Sequence, residues 1–280
     1  FCAIISPMNP IIDPTTLAAH LDDPDWLVVD CRFDLADPTA GERAWTAAHI
    51  PGAVYAHLDR DLSGPKTADG RGGRHPLPDP DHLRETFGRL GIGPGVRVVA
   101  YDDTSGHYAA RLWWLLRFMG HDNVMILDGG WPAWQAAGLP VSAEATTPVA
   151  RVFSGTPHWE QVVLIDDVPD APLLVDGRAP ERYRGEVEPI DPVAGHIPGA
   201  INRPYAANWS DGRWRSGKAL REAFAEQLGP VAPGEAVFYC GSGVSACVNL
   251  VAMARAGLPV GRLYVGSWSE WSRLRGSGQP

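Results

Sequence analysis

The five residues His-Ile-Pro-Gly-Ala at 49–53 return at 196–200, which indicates that one structural unit occurs twice in the chain. Three more pairs of similar segments accompany this pair in the same order: 27–32 (LVVDCR) with 173–178 (LLVDGR), 98–102 (VVAYD) with 237–240 (VFYC), and 127–131 (LDGGW) with 264–268 (YVGSW). Four matches in one order indicate two copies of one unit, here called the first and second repeats. Two copies of this length are too few and too long for a solenoid.

Short apolar runs rich in β-branched residues alternate with helical patterns in each repeat. They predict strands at 27–29, 96–101, 124–127, 173–175, 236–239 and 263–265, and helices at 81–90, 109–119, 219–228 and 246–256. This alternation predicts an α/β fold in which each repeat is a parallel sheet flanked by helices. We expect two tandem domains, at 10–142 and 158–276, joined by a linker rich in Ala, Thr and Pro.

Composition narrows the class of protein. The chain has 280 residues, of which 45% are hydrophobic and 20% charged, and its net charge is −9. These values are typical of globular proteins, and the negative charge disfavours nucleic acid or anionic lipid as a partner. No apolar run approaches the about 18 residues of a membrane-spanning helix. Residues 1–7 are apolar but lack a basic flank, so we expect no signal peptide and a natural start at Met8.

The four cysteines are Cys2, Cys31, Cys240 and Cys247, and no two of them form a Cys-x-x-Cys pair. That spacing offers no zinc or dithiol motif. A chain of this size can bury a core without disulfides, so we expect reduced thiols and a cytoplasmic protein.

Residues 240–246, CGSGVSA, are here called the cysteine loop, and they lie between a predicted strand and a predicted helix. Ligands bind at the carboxyl ends of strands in such sheets, and the two glycines allow successive backbone N–H groups to turn inward. These donors, backed by a helix N-terminus, favour an anion, which predicts Cys240 as a nucleophilic thiolate. The alternative is a buried core cysteine. The corresponding residue of the first repeat is Asp102, so that repeat has no nucleophile there.

The repeated turns, the LDGGW and YVGSW segments and the cysteine loop together resemble the tandem rhodanese-domain sulfurtransferases, over about residues 12–274. The resemblance implies two rhodanese-like domains and transfer of a sulfane sulfur, through a Cys240 persulfide, to a thiol or cyanide acceptor. It implies small-molecule partners, no metal and no organic cofactor. The loop is most similar to that of 3-mercaptopyruvate sulfurtransferases, because thiosulfate sulfurtransferases often carry basic residues there.

The stretch Arg-Tyr-Arg-Gly at 182–185 resembles a donor-binding segment of this family. The resemblance implies that Arg182 binds the anionic donor, with Arg184 as a further candidate, since a guanidinium offers paired donors to a carboxylate or thiosulfonate. The alternative is ion pairing with neighbouring glutamates. Mercaptopyruvate enzymes carry another substrate arginine, but 188–192 contains none, which leaves the donor open between 3-mercaptopyruvate and thiosulfate. The predicted substrate site also includes Gly241, Gly243, Val244 and Ser245.

The first repeat is longer by a Gly- and Pro-rich loop that contains His75. Mercaptopyruvate enzymes resemble serine proteases in one respect, and the resemblance implies that Ser242, His75 and Asp59 cooperate, with Asp61 as an alternative to Asp59. The hydroxyl could polarise a donor carbonyl or relay a proton, with the histidine as its base. The alternative is that His75 and Asp59 only stabilise their loop. Arg74 could add positive charge at the mouth of the cleft.

Residues common to both repeats are poorly explained by catalysis, because only the second repeat has a nucleophile. We therefore predict structural roles for the shared residues His49, His196, Asp30, Arg32, Asp176 and Arg178. Cys247 lies one residue into a predicted helix, which favours packing against the sheet. The alternative is a disulfide with Cys240 that resolves the persulfide.

Two other classes of protein use a related loop. Cysteine-dependent phosphatases need an arginine six residues after the cysteine, and that position is Ala246. Rhodanese-like binding modules have lost the cysteine, which describes the first repeat but not the second. The sequence therefore favours a sulfurtransferase over both alternatives.

Overall fold

The computed structural model describes residues 9–276, so Cys2 and the expected start at Met8 lie outside the described residues. The strands, in chain order, are β1 (Ile11–Ile12), β2 (Trp26–Asp30), β3 (Val54–Tyr55), β4 (Arg97–Tyr101), β5 (Val124–Leu127), β6 (Val162–Val163), β7 (Leu174–Asp176), β8 (Ile201–Asn202), β9 (Trp209–Ser210), β10 (Arg213–Trp214), β11 (Val237–Tyr239) and β12 (Arg262–Tyr264). The helices are α1 (Pro14–Ala18), α2 (Ala40–Ala47), α3 (Leu58–Asp61), α4 (Pro80–Arg89), α5 (His107–Phe118), α6 (Gly130–Ala136), α7 (Pro180–Tyr183), α8 (Gly217–Leu228), α9 (Ala246–Arg255) and α10 (Ser267–Leu274).

Each repeat forms one five-stranded parallel sheet. The strand orders are β1-β5-β4-β2-β3 and β6-β12-β11-β7-β8, and β9 and β10 form a separate hairpin. The two orders are the same when each strand is replaced by its counterpart in the other repeat. The predicted α/β fold with two parallel sheets is therefore confirmed.

The residues shared by both repeats form the same buried network twice. Arg32 pairs with Asp30 at 2.6 Å, and Arg178 pairs with Asp176 at 2.6 Å. In each case the arginine also donates to the carbonyl group just before the repeated histidine. The pairs thus fasten the His-Ile-Pro-Gly-Ala turn to the end of a strand, which supports structural roles for them.

Three apolar clusters hold the layers together. Alternate residues of a strand point to opposite faces, so Val28 enters a cluster on the outer face of its sheet, whereas Val29 enters a different one. The cluster that contains Val29 extends into the second repeat, through α5 and α9, which pack against each other. The outer face of the second sheet has its own cluster. A shared apolar core therefore joins the two domains.

The six predicted strands and four predicted helices are all present, with ends shifted by at most two residues. The sequence did not predict the edge strands β1, β3, β6 and β8, because two residues are too few to form a periodic pattern. The predicted domain boundaries enclose the two sheets, and their exact positions stay a prediction. In the described part of the chain, no helix has both the length and the apolar character needed to cross a bilayer.

Candidate active site

Cys240 is the first residue after β11 and is 1% exposed. The first two residues of α10 fix its backbone: its N–H donates to Ser267 Oγ at 3.2 Å, and its carbonyl accepts from the N–H of Trp268 at 2.9 Å. Cys240 borders a pocket of roughly 210 Å³ between the two repeats. The fold therefore places the thiol at the carboxyl end of a central strand, where parallel sheets bind ligands.

Gly243 allows the cysteine loop to turn tightly. Its φ is 72°, and a Cβ atom there would lie 2.5 Å from the carbonyl oxygen of Val265. Both the positive φ and the close approach exclude larger side chains. Gly243 thus shapes the loop from behind without lining the pocket.

The backbone N–H groups of the loop differ between the repeats. Within residues 9–276, no N–H group from 241 to 246 donates to a protein acceptor, although buried N–H groups rarely lack a partner. In the first repeat Asp102 takes the place of Cys240, and its carboxylate accepts from the N–H groups of Thr104, Gly106, Tyr108 and Ala109 at 2.8–3.0 Å. The first repeat satisfies four loop N–H groups with a carboxylate. Of their counterparts in the second repeat, only the N–H of Cys247 has an acceptor within residues 9–276, the carbonyl of Val244 at 3.1 Å.

Ser242, His75 and Asp59 come together across the domain boundary. His75 Nδ1 lies 2.8 Å from Ser242 Oγ, and its Nε2 lies 3.5 Å from Asp59 Oδ1. The second distance is long for a hydrogen bond. The structure thus brings the three residues of the predicted relay into one row.

His75 is 2% exposed, and burial lowers its pKa to about 3, with further contributions from Arg74 and Arg111. The imidazole is therefore neutral near pH 7. With its proton on Nε2, facing Asp59, it can accept a hydrogen bond from the hydroxyl of Ser242.

Asp61, the alternative to Asp59, serves another purpose. Its carboxylate accepts from the N–H of His57 at 2.7 Å and pairs with Arg89. These contacts stabilise α3, so Asp61 takes no part in the row of Ser242 and His75.

The two candidate arginines have different surroundings. Arg182 borders the pocket and pairs with the buried carboxylate of Glu188 at 2.6 Å. Arg184 does not border the pocket; its half-exposed guanidinium pairs with Glu186 at 2.6 Å. Arg184 therefore corresponds to the alternative of a surface ion pair and plays no part in the proposed site.

The pocket includes the predicted residues Val244 and Ser245, the expected cation Arg74, and also several residues that the sequence did not predict. These are Leu35, His107, Tyr108, Ile190 and Tyr205. The first repeat contributes Arg74 and three of these five, so the pocket is formed between the domains. Long-range proximity of this kind has no local signal in the sequence.

Ser267 is a buried serine with φ of 54°, a conformation that costs a non-glycine residue about 1–2 kcal/mol. Its counterpart in the first repeat is Gly130, with φ of 57°. The serine hydroxyl accepts from the N–H of Cys240 and donates to the carbonyl of Tyr264. The difference between Gly130 and Ser267 in the two repeats is the sequence feature that could have predicted this hydrogen bond.

Arg111 on α5 is a fully buried cation that joins the two domains. It donates to Gly243 in the cysteine loop at 3.1 Å and to Leu62 at 3.3 Å, and it lies 3.4 Å from the carbonyls of His75 and Pro76. Burial lowers the pKa of this guanidinium, an effect opposed by nearby Cys247 and Cys240. Arg111 therefore stabilises both the cysteine loop and the loop that carries His75 through their backbone carbonyl groups.

Cys247 is fully buried in α9, and its thiol donates to the carbonyl of Gly243 at 3.4 Å. Burial raises the pKa of this thiol to about 12, so it is protonated near pH 7. This environment favours packing over the redox alternative. Among residues 9–276 there is also no group of three or more His, Cys, Asp or Glu side chains that could hold a metal ion.

The fold and the site define a duplicated α/β protein with one cysteine loop, and comparison with known proteins gives the same result. The sequence profile of the rhodanese-like domain matches residues 13–137 and 162–274. A probable 3-mercaptopyruvate sulfurtransferase of Pseudomonas aeruginosa is 49% identical over 264 residues, which cover 91% of this chain and 92% of that protein. A putative thiosulfate sulfurtransferase of Mycobacterium tuberculosis is 41% identical, over 88% of this chain and 87% of its own length.

A solved structure supports the same family. The 3-mercaptopyruvate sulfurtransferase from Leishmania major superposes with a TM-score of 0.83 at 31% identity, covering 94% of this chain and 74% of that one. The chain belongs to the rhodanese family of sulfurtransferases, in its tandem two-domain form. The predictions of this family and of a sulfurtransferase are confirmed.

Proposed function

We propose that the protein takes a sulfur atom from 3-mercaptopyruvate, holds it as a persulfide on Cys240, and transfers it to a thiol or to cyanide. The observation that carries the proposal is the contrast between the two loops. Four N–H groups surround the Asp102 carboxylate in the first repeat, and within residues 9–276 three of their counterparts in the second repeat, those of Ser242, Val244 and Ala246, have no protein acceptor. A persulfide anion is the species that these donors would stabilise.

The reaction balances with groups that the site contains. The Cys240 thiolate attacks the donor sulfur, the carbon–sulfur bond breaks, and its electron pair passes to the three-carbon enolate. The proton of the donor thiol is transferred to the carbon atom that had carried the sulfur, which gives pyruvate and the Cys240 persulfide anion. A thiolate or cyanide then attacks the outer sulfur and leaves as a persulfide or thiocyanate, which regenerates the Cys240 thiolate.

The row of Ser242, His75 and Asp59 favours 3-mercaptopyruvate over thiosulfate. Enolate formation places charge on the carbonyl oxygen of the donor, and a hydroxyl beside it can stabilise that charge or relay the proton. Thiosulfate has no carbonyl group and gains nothing from such a relay. Thiosulfate remains the second candidate, because the relative from M. tuberculosis bears that name.

A single-turnover experiment tests this proposal. Mixing the protein with 3-mercaptopyruvate, removing excess donor and adding cyanide is expected to give one pyruvate and one thiocyanate for each chain. Ser242→Ala and His75→Ala are expected to slow pyruvate release by at least about tenfold, the lower part of the range for acid–base groups, while sparing thiosulfate. Equal effects on both donors would contradict the relay, and no thiocyanate from the unaltered protein would contradict the function.

The remaining parts of the proposal concern the division of the chain and its compartment. We assign residues 158–276 as the catalytic domain and 10–142 as a domain without a nucleophile, which supplies the cleft wall with His75 and Asp59. We place the protein in the cytoplasm, because the cysteines of the described region, Cys31, Cys240 and Cys247, are all unpaired. Small molecules are the proposed partners.

A further inference from the structure

Arg74 and Arg182 come from different domains and meet at one point of the cysteine loop. An ideal Cβ atom on Gly241 would lie 3.1 Å from Arg74 Nη2 and 3.6 Å from Arg182 Nη1. Both side chains border the pocket that contains Cys240. Two cations thus converge beside the nucleophile, one of them from the first repeat.

The loop that carries Arg74 is seated on the start of α10. The backbone N–H of Arg74 donates to Ser269 Oγ at 3.0 Å, and the N–H of Gly72 donates to Glu270 at 2.7 Å. Ser269 also donates its own N–H to the carbonyl of Gly241 at 2.8 Å. One residue of α10 therefore fixes Arg74 relative to the cysteine loop.

Two buried carboxylates orient the arginines. Asp191 accepts from Arg74 Nη1 at 2.7 Å and from Arg182 Nη2 at 3.3 Å, while Glu188 accepts from Arg182 Nη2 at 2.6 Å. Among residues 9–276, Nη2 of Arg74 and Nη1 of Arg182 have no acceptor, and they are the two guanidinium atoms nearest to the Cβ position of Gly241, while the paired Nη2 of Arg182 lies at 3.8 Å. The Nε of Arg74 is also buried without a partner. The carboxylates occupy one side of each guanidinium and leave the other side to the pocket.

We propose that Arg74 is the second donor-binding arginine, and that Arg74 and Arg182 form an anion clamp across the domain boundary. The clamp binds the anionic end of the sulfur donor: a carboxylate in a 2-oxo acid, or the sulfonate oxygens of thiosulfate. This inference rests on the proposed function, because it assigns a residue to the donor of that site. It also accounts for segment 188–192, which contributes carboxylates and the pocket residue Ile190 instead of a cation.

The charges of the clamp nearly cancel, since two arginines face two carboxylates. Binding therefore depends on the direction of the free N–H groups more than on a positive field. Loss of one charge-assisted hydrogen bond weakens binding by about 1.5–3 kcal/mol, which corresponds to a factor of roughly 10–150. This range sets the effect expected from removing Arg74.

Arg74→Gln tests the clamp, with Arg71→Gln as the matched control from the same loop. Arg71 is more than half exposed, and its carboxylate contacts are 3.7 Å long. We expect Arg74→Gln to raise KM by about tenfold or more for 3-mercaptopyruvate or for thiosulfate, whichever donor the unaltered protein uses. Transfer from a preformed persulfide to dithiothreitol should change less than about twofold, because that step uses no anionic donor. An unchanged donor KM in Arg74→Gln would overturn the inference.

Alkylation of Cys240 provides a readout that does not depend on sulfur transfer. Iodoacetate and iodoacetamide differ chiefly in charge, so the clamp should accelerate the anionic reagent. The ratio of the two rate constants should fall in Arg74→Gln and in Arg74→Gln/Asp191→Asn, which also removes the carboxylate that had paired with Arg74, but not in Arg71→Gln. A constant ratio would overturn the clamp even if the protein forms a persulfide. A falling ratio without persulfide formation would instead retain the clamp and refute the proposed function.

Discussion

Cys240 and Asp102 occupy the same position in two copies of one unit. The loop of the first repeat can therefore be compared directly with the cysteine loop of the second. Two glycines and a helix start predict a loop that favours an anion, and the repeat identifies which copy has the nucleophile. The meeting of Arg74 with Arg182 could not be predicted, because it depends on how the two domains dock. Resemblance to a family pointed to Ser242, His75 and Asp59, whereas local patterns alone would have left them as loop residues.

Cys240→Asp tests whether the two loops are equivalent. An aspartate should accept the unpaired N–H groups as Asp102 does, so this variant should be more stable than Cys240→Ala by about 1–3 kcal/mol, while neither transfers sulfur. Denaturant unfolding of the two variants measures the difference. Asp102→Ala is the control, and it should lose stability because four N–H groups lose their acceptor. A Cys240→Asp variant less stable than Cys240→Ala would refute the equivalence.

The lowered pKa of His75 predicts that the stability of the folded protein depends on pH. Its pKa is about 3 in the folded protein and 6.5 without burial, so between these values the unfolded chain binds a proton that the folded chain does not. The free energy of unfolding should therefore fall as the pH drops from about 6.5 towards 3, by up to about 1.4 kcal/mol per pH unit. His75→Gln should remove this part of the slope, and the exposed His82→Gln should not. Identical slopes in denaturant titrations of both variants would contradict the assignment.

At the scale of elements, long apolar strands and the helices between them follow from their periodic patterns. The edge strands escape prediction because pairing with a neighbour, not local sequence, defines two residues such as Val54–Tyr55 as a strand. The first residue of α10 is partly predictable from the sequence. Comparison with the first repeat shows that Ser267 replaces a glycine at a positive φ. A serine at such a position indicates a role for its hydroxyl group.

Ser267→Gly and Ser267→Ala separate strain from positioning. Both remove the hydroxyl that accepts from the Cys240 N–H, so both should slow persulfide formation by a similar factor, about tenfold for one hydrogen bond. Glycine also relieves the positive φ, so Ser267→Gly should be about 1 kcal/mol more stable than Ser267→Ala. Single-turnover rates and denaturant unfolding measure the two effects. A normal rate in both variants would show that Ser267 does not position Cys240.

At the scale of the whole molecule, the active site exists only because the two domains share a core. The cysteine loop belongs to the second domain, whereas His75, Asp59 and Arg74 belong to the first. The sequence predicted two domains and a linker but not the manner of their packing, since apolar helix faces do not specify a partner. Arg111 shows this limit: its place on an apolar helix gave no sign that it joins both halves of the site.

Arg111→Met should destabilise the protein by at least about 3 kcal/mol, because it leaves buried carbonyl groups from both domains without their donor. Arg117→Met is the matched control on the same helix. Arg117 is partly exposed and pairs with Asp122, so its loss should cost less than about 1 kcal/mol. Similar losses for the two variants in denaturant unfolding would contradict the role given to Arg111.

The mass of the intact chain after reaction with 3-mercaptopyruvate, followed by digestion to locate the change, tests whether Cys240 carries the transferred sulfur. We expect one adduct of about 32 Da, a single sulfur atom, on Cys240, which cyanide removes. The adduct should persist in Cys247→Ala and be absent from Cys240→Ala. An unaltered protein without the adduct, or an adduct that survives Cys240→Ala, would refute a persulfide on Cys240.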